Sequence, residues 1–468
     1  MPDALARAPG EGGAAHSRAS ARIGGSGLAG AGARGDAAAR AACERAPVAS
    51  KRAAGSPAVG LRPRLRVLHV IPSLGIGGAE TMLLQILAHG DGERFEHEVV
   101  ALAPEPGSEA PRAHALGARV RPLGARRAAG LPRALARLWA WTRASAPDVV
   151  HTWMYHANLL GGLAAAGAAP VLWAIRRGRL VDGEAPWTTH AAVRLSAALS
   201  RRIPRRIVCC TAAALEVHRG LGFDASRMLV VPNGFDTERF APSEEARQRT
   251  RAELGLGPDD LAIGLVARFH PVKDHATFLE AAARAARERP ELRFVLAGPG
   301  VDGSNGELVG AIAAAGLGAR FRLLGPRRDV PALLAGLDLA TLCSRSEGFP
   351  NAVGEAMACG LPCVLTEVGD ARSLVGPTGR VVPVGDPEAL ARAWLELGAL
   401  GPAERRRLGR AARRSIEQRF SIAEVVRRYE RLYLELAGGE EGAGAASARA
   451  SGRRPIPAEA RGRAGRGG

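Results

Sequence analysis

The chain has 468 residues, 47% of them hydrophobic, and a formal net charge of +18. That length and apolar content are enough for two domains with cores of their own. Aromatic residues make up only 4% and no DNA- or RNA-binding motif occurs, which argues against a nucleic-acid binder. The nearest thing to a membrane span, Leu159 to Ile175, is rich in Gly and Ala and is broken by Pro170.

The charge comes almost entirely from arginine, because the only lysines are Lys51 and Lys273. It reads either as a solvated arginine surface or as an attraction to anionic lipid headgroups. Residues 1–62 and 438–468 are Ala, Gly and Arg with few large apolar side chains, and both stretches are expected to be disordered. The first stretch lacks the apolar run of a signal peptide.

From residue 66 onward, short apolar runs alternate with helical patterns. RVLHVIP (66–72), HEVVALA (97–103), PDVVHT (147–152), PVLWAI (170–175) and RIVCCT (206–211) read as buried parallel strands. Helices are predicted between them, at 79–90 and 131–146 for example. A second series follows at 261–269, 292–298, 320–325, 337–344 and 362–366, with helices over 274–288 and 386–397. The fold class is therefore α/β, with two Rossmann-like domains in succession, 63–240 and 241–420. The run 421–436 is amphipathic at helical spacing. Cys209, Cys343 and Cys363 sit in strand-like runs, and no cysteine set has metal-ligand spacing, so the thiols read as reduced and the protein as cytoplasmic.

The motifs cluster at strand ends. Gly75, Gly77, Gly78 and Glu80 follow the first strand and open the first helix, where glycine lets a backbone approach a ligand closely. No acidic ribose ligand follows the second strand, so the dinucleotide fingerprint is incomplete. Asn233-Gly234 is a turn at the domain boundary. Arg268 closes the first strand of the second half and Lys273 precedes its first helix, a placement from which both cations can reach a diphosphate. In a chain with so few lysines, one that merely solvated a surface would more naturally have been arginine. In the run 347–364, Glu347 lies on a loop, Pro350 suits a first helical turn, and Glu355 falls about one turn into the helix that starts at Asn351. Two carboxylates flanking a helix N-terminus suit a ligand with hydroxyls on both sides of a phosphate, as in a nucleotide-sugar.

That last segment resembles the E-x7-E signature of retaining GT-B-fold glycosyltransferases of family 4. ARFHPVKD (267–274) resembles the same family's R-x4-K pair, and VPNGFDTERF (231–240) and the GGAE loop resemble its other motifs. The resemblance implies two domains facing a central cleft, with a C-terminal helix over 421–437 crossing back to the N-terminal one. It implies that Arg268 and Lys273 neutralise the leaving nucleoside diphosphate, that Glu347 lies near the hexose hydroxyls and that Glu355 holds the ribose diol. The amides of Gly348 and Phe349, with Pro350 and Asn351 opening the helix, would meet the diphosphate or sugar. Gly77 and Gly78 would face it across the cleft, and Gly298 would form the second domain's glycine turn.

Many members carry a histidine after the strand matching PVLWAI, where this chain has Arg176, Arg177 and Gly178. His151 and His156 are then the cleft histidines, with Arg177 as a phosphate partner. Arg327 and Arg328 are candidates beside the base. The implied partners are a UDP-, GDP- or ADP-sugar donor and a glycan or lipid-linked acceptor of the bacterial surface-polysaccharide type, with no metal and no cofactor. A nucleotide-sugar 2-epimerase of the same fold and a non-catalytic nucleotide-sugar binder are the alternatives.

Overall fold

The computed structural model describes residues 64–75, 77–124, 130–178 and 186–438. The stretch 1–62 and the tail beyond Gly438 lie outside the described residues. Two wholly parallel sheets carry the fold. The first contains β1 (Leu65–Ile71), β2 (Phe95–Ala101), β3 (Arg119–Pro122), β4 (Val149–Trp153), β5 (Val171–Ile175), β6 (Arg206–Cys209) and β7 (Met228–Val230), in the order β3-β2-β1-β4-β5-β6-β7. The second contains β8 (Leu261–Val266), β9 (Leu292–Ala297), β10 (Phe321–Leu323), β11 (Leu339–Leu342), β12 (Cys363–Thr366) and β13 (Arg380–Val382), in the order β10-β9-β8-β11-β12-β13. β4 and β5 are buried along their whole length; β5 (VLWAI) is accordingly an unbroken apolar run, and β4 (VVHTW) carries only His151 and Thr152 as polar residues.

Both strand orders reverse once. The reversal lies between β1 and β4 in the first sheet, where Val67 faces Val149, and between β8 and β11 in the second, where Ile263 faces Leu339. In open α/β sheets, ligands bind outside the carboxyl ends of the strands at such switch points. That rule singles out the loops after β1 and β4 in one sheet and those after β8 and β11 in the other. They are the loops that hold Gly77–Gly78, Lys273 and Glu347.

The last helix, Ile422–Gly438, lays Ile422, Val425, Val426, Tyr429, Leu432 and Tyr433 into the core of the first sheet, beside Val67, Trp153 and Met82. It follows the second sheet in sequence but buries its apolar stripe on the first. The chain thus ties the two sheets together a second time, in addition to the crossing after β7.

Under that helix lies a buried imidazole cluster. Trp153 Nε1 donates to His69 Nδ1 at 3.3 Å, so the remaining proton of neutral His69 sits on Nε2 and is donated to His97 Nδ1 at 3.0 Å. His151 Nδ1 pairs with the Tyr433 hydroxyl at 2.9 Å. His151, expected at the cleft, is instead turned into this core. Strand alternation aims it beneath the returning helix, and its Nε2 has no partner among the described residues.

Burial holds His69 and His151 well below the usual imidazole range and brings His97 down to about 4. The unfolded chain titrates these rings near 6.5 and takes up protons that the folded chain refuses, so folding stability rises with pH across this window. The expected result is a melting temperature that falls steadily from pH 7 to pH 5. Equal melting temperatures at pH 7.5 and pH 5 would show that the three rings are not neutral and buried.

Candidate active site

The loops after β8 and β11 are held together by one ion pair. Lys273 ends a short 3-10 turn, Pro271–Lys273, whose start is capped by His270 Nδ1 accepting from the Val272 amide at 3.2 Å. Its Nζ reaches Glu347 Oε1 at 2.5 Å, and the same oxygen accepts from Ser344 Oγ at 2.6 Å. Lys273 and Glu347 keep about a fifth and an eighth of their side-chain surface exposed, so the pair is shielded without being sealed.

Asp274 follows in a left-handed conformation, φ 51°, which turns the chain sharply into the helix His275–Glu288. Its buried carboxylate takes the Arg345 Nε at 2.9 Å, and the Arg345 amide donates to the Val272 carbonyl at 2.8 Å. The R-x4-K and E-x7-E segments are therefore bonded to each other by both side chain and backbone. Behind them, Thr366 Oγ1 donates to the Ser344 carbonyl at 2.6 Å and the Cys343 thiol to the Lys273 carbonyl at 3.2 Å.

Arg268 stands at the end of β8, exposed and without an ion pair among the described residues. Its backbone is fixed from β9: the Phe269 amide donates to the Pro299 carbonyl at 2.8 Å, and a Cβ at Gly298 would stand 2.1 Å from the Ala267 carbonyl oxygen. With φ 150° and that contact, only glycine fits at 298. The structure separates Arg327 from this group. Its guanidinium is gripped by Glu253 at 2.5 Å and Asp329 at 2.6 Å. Arg328 is exposed.

The two sheets meet along a tight seam. A Cβ at Gly348 would lie 2.4 Å from the Arg176 carbonyl oxygen, and one at Gly178 would lie 2.5 Å from the Glu347 carbonyl oxygen. The half-buried Arg177 sits between these contacts. A Cβ at Gly78 would face the Asn351 amide nitrogen at 3.6 Å, so the first domain's glycine loop does look at the start of the Asn351–Ala358 helix. Gly77, just before it, is extended and packs on the Glu80 carboxylate. Asn233 Nδ2 donates to Asn351 Oδ1 at 2.6 Å, which ties the boundary turn to the same helix end.

Pro350 and the buried Phe349 precede that helix. The Phe349 ring packs between Phe235 and Phe420, leaving its backbone rather than its side chain for the site. His156 is exposed on the first turn of the Met154–Ala165 helix, at the carboxyl end of β4. Met154 there has φ 68°, a strained entry of the kind found at functional turns.

Glu355 does not open onto a wide crevice. Gly78, Thr81, Met82, Asn233, Phe235 and Asp236 surround it, around a space of about 10 Å³, the size of one water. Burial in this seam raises its carboxyl to about 7, and Arg239 only partly offsets the shift. A carboxyl that is neutral in the closed seam and ionised in water binds more protons in the closed protein, so closure loses stability as pH rises from 4.5 toward 7. Glu355→Gln is expected to raise the melting temperature at pH 8 and leave it nearly unchanged at pH 5, while weakening donor binding. A variant less stable than the parent at pH 8 would place Glu355 in a satisfied, charged environment instead.

Sequence reasoning missed three residues that shape this seam. Asp370, after β12, accepts from the Ala212 and Ala213 amides at 2.8 and 2.9 Å, capping a first-domain helix from the second domain. Ser344 orients Glu347. Arg176, named only as part of a departure from the family pattern, is buried and structural. Its Nη1 donates to Asn233 Oδ1 at 2.7 Å and to the Val231 carbonyl at 3.2 Å, and its Nη2 to the Tyr429 hydroxyl. An arginine directly after an all-apolar strand was the one available signal. Among the described residues, no group of three or more His, Cys, Asp or Glu side chains is placed to hold a metal ion.

Two parallel-sheet domains with facing switch-point loops and a returning C-terminal helix define the GT-B class of protein. Residues 76–239 match the family model described as Glycosyltransferase Family 4, and residues 260–399 match that described as Glycosyl transferases group 1. Together with the fold, these matches support a GT-B glycosyltransferase.

Bacillus subtilis EpsF, named as a glycosyltransferase, is 28% identical over 64% of this chain and 79% of its own length. The UDP-Gal:alpha-D-GlcNAc-diphosphoundecaprenol alpha-1,3-galactosyltransferase of Escherichia coli is 29% identical over 49% of this chain, which spans 60% of that enzyme's length. Among solved structures, Anabaena Alr3699/HepE in complex with UDP and glucose superposes with a TM-score of 0.70 at 23% identity, over 79% of this chain and 99% of HepE. At that identity the superposition speaks to the fold.

Proposed function

We propose that this chain transfers a hexose from a nucleotide-sugar to a hydroxyl acceptor with retention of anomeric configuration, on the cytoplasmic side of a bacterial membrane. The observation that carries the proposal is the Lys273–Glu347 pair, held at the switch point of the second sheet. The diphosphate would lie against Lys273, Arg268 and the backbone opening the Asn351 helix, where two cations and free amides offset the charge that grows as the leaving group departs. Glu347, freed from Lys273 by the incoming phosphate, would accept hexose hydroxyls, and Glu355 the ribose diol once the seam opens.

Reaction would proceed from the front face. The bond from anomeric carbon to phosphate oxygen breaks, the acceptor oxygen bonds to that carbon on the same side, and the acceptor proton passes to the departing phosphate. Charge neutralisation then carries more of the barrier than a protein base. From the first domain, His156 would meet the acceptor and Arg177 the donor phosphate. The relative that acts on a diphosphoundecaprenol-linked sugar supports a lipid-linked acceptor, and its UDP-Gal donor supports UDP as the nucleotide.

The test is a donor screen. The protein is incubated with UDP-, GDP- and ADP-sugars and the free nucleoside diphosphate from slow hydrolysis is measured, first for the wild type and then for Glu347→Ala. Release from one donor, lost in the variant, is expected. Release of a changed free sugar without acceptor would instead identify an epimerase, and donor binding with no release a non-catalytic binder.

A further inference from the structure

Asp370 stands at the capping position of its own short helix, Ala371–Val375, yet its carboxylate makes no hydrogen bond to that helix. An aspartate so placed ordinarily accepts from an amide of the turn that follows. Here both oxygens are turned across the seam instead. Oδ2 accepts from the Ala212 amide at 2.8 Å and Oδ1 from the Ala213 amide at 2.9 Å. Those amides open the first-domain helix Ala212–Gly220, which has a local cap as well: Thr211 Oγ1 accepts from the Ala214 amide at 2.9 Å. Asp370 has no ion pair among the described residues, so its charge is met by the positive end of a helix in the other domain.

The loop that carries Asp370 lies on the backbone of the site. A Cβ at Gly369, where φ is 53°, would stand 3.3 Å from the Glu347 carbonyl oxygen and 3.5 Å from that of Gly348. On the first-domain side, two residues before Ala212, the Cys210 thiol is 1% exposed and donates to the Gly348 carbonyl at 3.4 Å. The junction between β6 and its helix therefore touches the Glu347 loop twice, directly at Gly348 and through Asp370.

We propose that Asp370 is a positioning residue that sets the closure of the seam by exchanging one helix cap for another. With the seam closed, it caps Ala212–Gly220 and holds the Glu347 loop against the first domain. With the seam open, it turns back to the amides of its own first turn. The carboxylate is satisfied in both states, which lowers the cost of opening for donor entry without giving up the closed geometry. The purpose of this exchange rests on the transfer reaction proposed above. Closure itself is measured in the empty protein, without donor or turnover, so the two proposals fail separately.

The test breaks the same contact from opposite sides. Asp370→Ala removes the acceptor. Ala212→Pro removes one of the two donors, and proline suits the first position of a helix when the residue before it is extended, as Thr211 is at φ −145° and ψ 158°. The full chain is alkylated with N-ethylmaleimide and the rate at each cysteine is followed by peptide mass spectrometry. Cys210 is shielded by the seam, whereas Cys209 on β6 and Cys363 on β12 are buried within strands and report unfolding. Cys210 is expected to react roughly fivefold faster or more in either variant, the factor that one lost cap carries, with Cys209 and Cys363 unchanged. Ala212→Pro is expected to add nothing in the Asp370→Ala background, since both remove one interaction. Asp370→Asn, which keeps an accepting oxygen, is expected to fall between Asp370→Ala and the wild type. In nucleoside diphosphate release, Asp370→Ala is expected to lose roughly two- to fivefold in kcat without a rise in the donor KM. Wild-type alkylation of Cys210 in both variants, or acceleration in Asp370→Ala alone, would show that the contact does not hold the seam. Equal acceleration at Cys209 and Cys363 would make Asp370 a prop of the fold, and a raised donor KM at unchanged kcat would make it a donor ligand. Each of these results overturns the proposal.

Discussion

Lys273→Ala is expected to lower donor turnover by roughly a hundred- to a thousand-fold, the usual loss when one preorganised charge is taken from a developing anion. The loss should fall on turnover more than on folding. The pair it breaks is partly open to water, and pairs of that kind contribute about a kcal/mol or less to stability. The remaining partner, Glu347, keeps its Ser344 hydrogen bond at 2.6 Å and stays in place. Lys273→Arg should not restore full activity, because the planar guanidinium is larger than the ammonium and cannot place its charge at the same point. Initial rates of nucleoside diphosphate release, with melting curves as the control, check both statements. An alanine variant that turns over like the wild type would remove Lys273 from the reaction.

Arg176→Ala is expected to act on the scaffold. The side chain is buried between the Trp153 and Tyr429 rings, with its carbon 5.7 and 5.6 Å from their centres, and it bonds to Val231, Asn233 and Tyr429. Removing it leaves a cavity and at least two buried acceptors without a donor, a cost of about 3–5 kcal/mol. For a domain of this size that is a drop of roughly 6–20 °C in melting temperature. Donor binding should weaken as well, because Asn233 is held by Arg176 on one side and holds Asn351 on the other. Arg176→Met, which keeps much of the volume, should lose less stability, and the difference isolates the hydrogen bonds. A melting temperature within a degree of the parent would contradict the structural role.

The strands that were legible in the sequence are those buried on both faces. β5 is an unbroken apolar run and β4 nearly one, because both strands are buried along their whole length. β3, β7 and β13 went unread for the opposite reason: they are three or four residues long, lie toward the sheet edges and are only partly covered, so RVRP and MLV carry no pattern. The helix beginning at Asn351 was readable from Pro350 and the apolar spacing behind it.

At the site, the scarcity of lysine drew attention to Lys273, and the structure sets that residue against Glu347. The reach of the seam was not legible. Whether Glu355 faces a crevice or is packed under Gly78 and Met82 depends on how close the two sheets come, which is set by contacts more than a hundred residues apart, such as Asn233 to Asn351 and Ala212 to Asp370. His151 failed as a cleft residue because the strand's alternation carries it under a helix from the far end of the chain.

Calorimetric titration of the wild type and Lys273→Ala with UDP, GDP and ADP tests the central claim most directly, since it asks only whether the loops joined by the Lys273–Glu347 pair hold a nucleoside diphosphate. One of the three should bind saturably to the wild type and at least tenfold more weakly to the variant. If none binds, or if the variant binds as tightly as the wild type, the Lys273–Glu347 pair does not mark a nucleotide-sugar site.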